Sequence, residues 1–123
     1  MVEKSNEFEE AYYAINKKYG QYRSGHIYQE VGCMVNSFRY ATDIWHGVCL
    51  QVMQGLDTDS FGCTIGSALG AYFGMEKINN EKLEVFNDTL RVSLASFYDN
   101  SIVSVAERMA ELTQTMALKI KEL

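Results

Sequence analysis

Two aspartates and two hydroxyls alternate at Asp57, Thr58, Asp59 and Ser60, near the middle of a chain of 123 residues. Carboxylates and hydroxyls at this density are hard oxygen donors, the ligand type that suits magnesium and calcium. No lysine or arginine lies between Gln51 and Met75 to neutralise the acids. The same side chains also suit a helix start, where an acid complements the macrodipole by about 0.3–1 kcal/mol and a side-chain oxygen caps free N–H groups. Residue type alone leaves both readings open, a cation site or a well-capped helix. An EF-hand is excluded, because its loop needs Asp or Asn at position 61 and Glu at 68, where the chain has Phe61 and Ala68.

Positioning this loop falls to the segments on either side. Gly55 breaks the apolar segment ahead of it, and Gly62, Gly66, Gly70 and Gly74 recur at every fourth residue behind it. On a helix such positions form one slowly drifting ridge of bare backbone. Each glycine inside a helix costs roughly 1 kcal/mol against alanine. The ladder therefore predicts either close approach of another backbone or tight seating of the loop in the core.

The run GLDTDSFGCTIGSALGAYFG resembles the C-terminal signature of the ADP-ribosylglycohydrolase family, G-x-D-T-D-[ST]-x-G followed by a helix of small residues. The core of the match covers about a sixth of the chain. Looser agreement extends outward, from His26-Ile27 and Asp43 with GVCLQVMQG upstream to Phe86–Val92 and IVSVAER downstream. The resemblance implies an all-α helical bundle like the C-terminal part of that fold, and a site with two magnesium ions. It implies that Asp57, Asp59 and Ser60 are metal ligands, that Asp57 and Asp59 are the catalytic residues, and that Thr58 shapes the loop. In such a site the cations grip ribose hydroxyls and polarise a water for attack at the anomeric carbon. The substrate so implied is an ADP-ribosylated protein or a small ADP-ribosyl compound, cleaved at an N- or O-glycosidic bond.

The family's remaining ligands come from a Gly-Asp-Ala type motif and a Thr-Asp-Asp type motif, and neither occurs here. The only adjacent acids are Glu9-Glu10, and Gln29 and Glu30 stand where relatives tend to have proline and asparagine. The chain thus resembles the C-terminal half of such a protein, or a shortened relative, incomplete and inactive alone; its expected partners are an N-terminal half or, through apolar surface left exposed, a second copy of itself. The alternative is a non-catalytic helical binding or assembly module that keeps the acidic loop as structure.

Composition sets outer bounds. A chain of 123 residues with 47% hydrophobic and 22% charged residues is ordinary for one soluble globular domain, 1–123. A net charge of −5 without a basic cluster argues against a nucleic-acid surface. Cys33, Cys49 and Cys63 form neither a C-x-x-C nor a zinc pattern, and read as buried reduced thiols in a cytoplasmic protein. The N-terminal MVEKSNEFEE has no apolar leader, and the most apolar run, 61–75, falls short of the ~20 residues that span a bilayer. No membrane partner is expected.

With no proline, the pattern reads as successive helices. Ser5 caps a first helix through residue 18, with Phe8, Ala11, Tyr12 and Ile15 at helical spacing, and residues 21–25 form a polar loop. A second helix covers 27–40 with Val31, Met34, Val35 and Phe38 on one face. Thr42-Asp43 caps a third, to about 54, with Ile44, Val48 and Val52 facing the core. The glycine ladder is the fourth. A turn at Asn79-Asn80 precedes a helical turn over 81–86. Residues 90–97 suit either an extended or a helical segment, and the resemblance favours something irregular. Asp99-Asn100-Ser101 caps a last helix over 102–120, with Ile102, Val105, Ala106, Met109 and Leu112 as a core-facing stripe. His26 reads as a helix-start residue, His46 as half-buried, and the tyrosines of the first third, with Phe61 and Tyr72, as packing residues.

Overall fold

The computed structural model of the chain describes residues 2–22, 26–94, 96–97 and 100–121. Every regular element among them is helical: a 3-10 turn Val2–Lys4, α1 (Phe8–Tyr19), α2 (Ile27–Tyr40), α3 (Ile44–Met53), α4 (Thr58–Phe73), a 3-10 turn Met75–Lys77, α5 (Asn80–Glu84) and α6 (Ile102–Lys121). The fold is all-α, with each long helix within a few residues of its expected bounds. None of these helices is long and apolar enough to cross a membrane. Two compact units result, one ending at Ile78 and the other beginning at Asn79.

In the first unit α2 packs against α1, α3 and α4, and α3 with α4 makes an antiparallel hairpin. Ala11 and Ile15 of α1 are buried with Val2 and Cys33, while Phe61, Ile65 and Leu69 of α4 are buried at four-residue spacing. Ser5 does not cap α1. The N-cap is Glu7, without a side-chain cap, and Glu10 Oε2 instead reaches back to accept the Asn6 N–H at 2.9 Å. Ser5 is buried, its carbonyl accepting from Arg39 Nη2 and the Tyr40 hydroxyl.

The inward face of α2 differs from the expected apolar stripe. Val31, Val35 and Phe38 are exposed, and the buried residues are Gln29, Cys33, Asn36 and Ser37. On α3 the buried residues are Gly47, Leu50 and Gln51, with Val52 exposed. The reason is the same on both helices. The side that meets the neighbours carries polar groups that bond to one another, each through at least one of its atoms, so burial follows pairing and hydrophobic periodicity points to the other face.

Close backbone approach is likewise made elsewhere than on the ladder. A Cβ on Gly62 would lie 3.9 Å from Val52 Cγ2 and one on Gly66 3.5 Å from Val48 Cγ2, both ordinary contacts, and Gly70 meets nothing within 4 Å. Within the α3–α4 hairpin the tight glycine is Gly47, where a Cβ would overlap Leu69 Cδ1 and come within 2.9 Å of the Ala41 Cβ; outside it, Gly20 and Gly32 are tight against the Asn16 carbonyl and the Ile15 side chain.

In the second unit Asn79 Oδ1 caps α5 by accepting the Glu81 N–H, and residues 90–94 are irregular, as the resemblance implied. Ser101 Oγ accepts the Ser104 N–H at the start of α6, and Asp88 reaches in to accept from Ser101 Oγ and the Val103 N–H at 2.9 Å. Asn87 and Asp88 hold positive φ, a conformation that short polar side chains tolerate. Asp99, expected in this cap, lies outside the described residues, as do 23–25 of the polar loop and Ala95. The α6 stripe is not core: Ile102, Met109 and Leu112 are exposed. Val105, Met109 and Leu112 line an open groove with Phe97.

These contacts rank the glycines. Gly47→Ala should destabilise the fold by about 1–3 kcal/mol, because Leu69 is fully buried and has nowhere to move. Gly70→Ala should stabilise by up to about 1 kcal/mol. Urea midpoints of the two variants, falling in that order around the parent, check the assignment.

Candidate metal centre

The acidic loop is the turn of the α3–α4 hairpin, and its shape begins with backbone chemistry. Gln54 is the C-cap of α3, with φ −74° and ψ −10°. Gly55 and Leu56 follow at φ 74° and 69°, two left-handed residues in succession. Glycine takes that conformation freely, whereas for leucine it costs on the order of 1–2 kcal/mol. Asp57 then serves as the N-cap residue of α4, and Asp59 falls in its first turn.

The two aspartates do different things. Asp57 makes no side-chain cap to α4, in contrast to Asp43, whose Oδ1 accepts the His46 N–H at 2.7 Å and caps α3. The Asp57 side chain lies close enough to act on the Asp59 carboxyl. A hydrogen bond from the Asp57 side chain, with further ones from the backbone N–H groups of Asp59 and Ser60, holds the Asp59 carboxyl below the usual carboxylate range. Asp59 thus covers the free N–H groups that Asp57 leaves. Asp57 and Thr58 are half-buried, and Asp59 and Ser60 are exposed. Behind the loop Phe61 is fully buried, whereas Tyr72 is exposed and packs edge-on to Phe38 at 5.1 Å.

Two neighbouring carboxylates without a basic partner repel each other once both are ionised, and a proton or a cation between them relieves that repulsion. The donors are oxygen only, two carboxylates with the Ser60 hydroxyl beside them, and in kind they fit a hard cation. In number they are few. Among the described residues no group of three or more His, Cys, Asp or Glu side chains comes together to hold a metal ion.

What seats the loop went unread in the sequence. Gln54 is 3% exposed, and its Nε2 donates to Ser37 Oγ at 2.8 Å and to the Cys33 carbonyl at 3.1 Å, while its Oε1 accepts from Asn36 Nδ2 at 3.1 Å. Ser37 Oγ donates onward to Gln51 Oε1 at 2.9 Å, and Asn36 Nδ2 also donates to the Phe8 carbonyl at 3.1 Å. One signal was present: Asn36, Ser37, Gln51 and Gln54 fall at three- and one-residue spacing inside otherwise apolar helices. The histidines take no part. His46 Nδ1 pairs with Thr42, and His26 stacks on Tyr22 at 4.4 Å. The cysteines are all free, but only Cys33 is fully buried; Cys49 is half-buried and Cys63 exposed, on the outward side of α4.

Three outcomes follow. Leu56→Gly should raise stability by up to about 1 kcal/mol in urea unfolding, since it removes the left-handed strain. Asp59 contributes stability that is fully present above the ordinary aspartate range and is lost as pH falls through its lower folded value. Asp59→Asn should therefore flatten the acid limb of the stability curve, as urea unfolding followed across that limb would read. Burial pushes the Cys33 thiol up to about 11, so at pH 8 a disulfide reagent should label Cys63 rapidly and Cys33 only on unfolding.

A family model described as ADP-ribosylglycohydrolase matches residues 2–118, a span that takes in the acidic loop and most of both units. No curated protein and no solved structure matches the chain. With a family match over nearly the whole length and an all-helical fold around the acidic turn, the chain belongs to the ADP-ribosylglycohydrolase family.

Proposed function

We propose that the chain is the C-terminal portion of a magnesium-dependent hydrolase that cleaves ADP-ribosyl N- or O-glycosidic bonds. The observation that carries this reading is the placement of two acids, Asp57 and Asp59, at the start of α4, where Asp57 makes no cap bond and neither has a basic partner among the described residues. Asp57 and Asp59 supply anionic oxygens to the metal site, Ser60 adds a neutral hydroxyl oxygen, and the half-buried Thr58 shapes the turn between them. Bound magnesium supplies Lewis-acid polarisation of a water and a grip on ribose hydroxyls. The protein's share of the work is orientation: the left-handed Gly55-Leu56 link and the capped end of α3 hold the two carboxylates at the start of α4 before any ligand arrives.

Two carboxylates and a hydroxyl are too few for two ions, so the remaining ligands come from a further segment carrying the missing Asp-rich motifs. Alone, the chain binds magnesium weakly and turns over no ADP-ribosylated protein. A second reading, a non-catalytic binding or assembly module, draws on the same shortage of donors and on the exposed Ile27, Val31, Val35 and Phe38 of α2.

Calorimetric titration with magnesium, with and without ADP-ribose, separates the two. The metal reading expects weak binding that ADP-ribose strengthens and that Asp59→Asn abolishes. Heats unchanged by Asp59→Asn would favour the assembly module, and turnover by the purified chain would show that its ligand set is complete.

A further inference from the structure

The amide cluster beneath the acidic turn is an expensive way to fill a core. Asn36 and Gln51 are fully buried, and Asn36 Oδ1 and Gln51 Nε2 have no hydrogen-bond partner. An unsatisfied buried polar atom carries its desolvation penalty uncompensated, and apolar side chains of the same volume would avoid it. What apolar side chains would not give is direction. Each bond of the cluster has one geometry, and together they tie the end of α3 to α2 and, through the Phe8 carbonyl, to the start of α1. Gln54 is where the bonds converge.

Gln54 also stands three residues ahead of Asp57. The intervening Gly55 and Leu56 are both left-handed, and leucine has little freedom to leave that narrow well without a large change of path. Only these two residues separate the anchored Gln54 from Asp57, and the first turn of α4 carries Asp59.

We propose that Gln54 is a positioning residue for the acidic turn: its buried side chain, held by Asn36, Ser37 and the Cys33 carbonyl, sets the separation at which Asp57 and Asp59 face a divalent cation. The proposal rests on the metal-binding reading of Asp57, Asp59 and Ser60. Gln54 touches neither metal nor substrate. It acts as the outer support of metal ligands does, through orientation, and losing such support typically weakens metal affinity by about 10–100-fold.

The test uses the full chain labelled with 15N and titrated with Mn2+, a hard paramagnetic cation whose broadening of nearby amides reports even weak binding. Gln54→Met keeps the volume and removes every hydrogen bond of the side chain. It should weaken Mn2+ binding at the amides of residues 57–62 by about tenfold. Ser37→Ala removes a single partner and leaves Gln54 in place, so it should weaken binding in the same direction by a smaller factor, and it serves if Gln54→Met does not fold. Ile15→Val, a core change remote from the turn, should lower stability and leave the affinity unchanged. Parent-like affinity in Gln54→Met or in Ser37→Ala, with binding abolished by Asp59→Asn, would overturn the positioning role and leave the metal reading standing. Equal weakening by Ile15→Val would overturn it too, as a mere stability effect. An absence of loop broadening in the parent, unaltered by Asp59→Asn, would overturn both.

Discussion

Four buried polar side chains, Asn36 and Ser37 on α2 with Gln51 and Gln54 on α3, join two helices whose outward faces carry much of their apolar content. A hydrogen bond in a dry interior is directional and electrostatically stronger than in water, and it ties partners to one arrangement. Because Gln54 is the last residue before the acidic turn, this arrangement reaches the turn directly. The hairpin around it follows: Gly47 lets Leu69 lie close, α4 buries Phe61, Ile65 and Leu69 at one spacing, and the strained Leu56 is held in place by what flanks it.

The start of α4 differs from those of α3 and α5 and resembles those of α1 and α2, whose N-cap residues Glu7 and His26 also make no side-chain cap. Asp43 closes α3 and Asn79 closes α5 through side-chain oxygens that accept backbone N–H groups. Asp57 occupies the equivalent position of α4 and forgoes that bond, and its side chain acts on the Asp59 carboxyl.

Much of this was legible beforehand, for reasons that are local. Capping residues and glycines mark helix ends because they act within a few residues, so α2, α3, α4 and α6 begin and end close to where their signals lie. The acidic pair was legible because type and spacing alone define the donors. Three things were not. The buried face of α2 carries Gln29, Asn36 and Ser37, and no periodicity reports that polar groups will find partners on another helix. The glycine ladder announced a close approach, yet the tight contact falls on Gly47, since what decides it is the position of Leu69 across the hairpin. The cap of α6 draws on Asp88, well upstream, through a loop whose left-handed Asn87 and Asp88 leave only a weak mark in sequence.

The central claim is that the Asp57 and Asp59 carboxyl groups together hold a divalent cation, and crystals of the chain grown with Mn2+ test it most directly. An anomalous difference map is predicted to show a peak between the two side chains, about 2.1–2.2 Å from oxygens of both carboxylates and beside the Ser60 hydroxyl. Two aspartates turned apart into solvent, with Asp57 capping α4 and no anomalous peak at the turn, would contradict it.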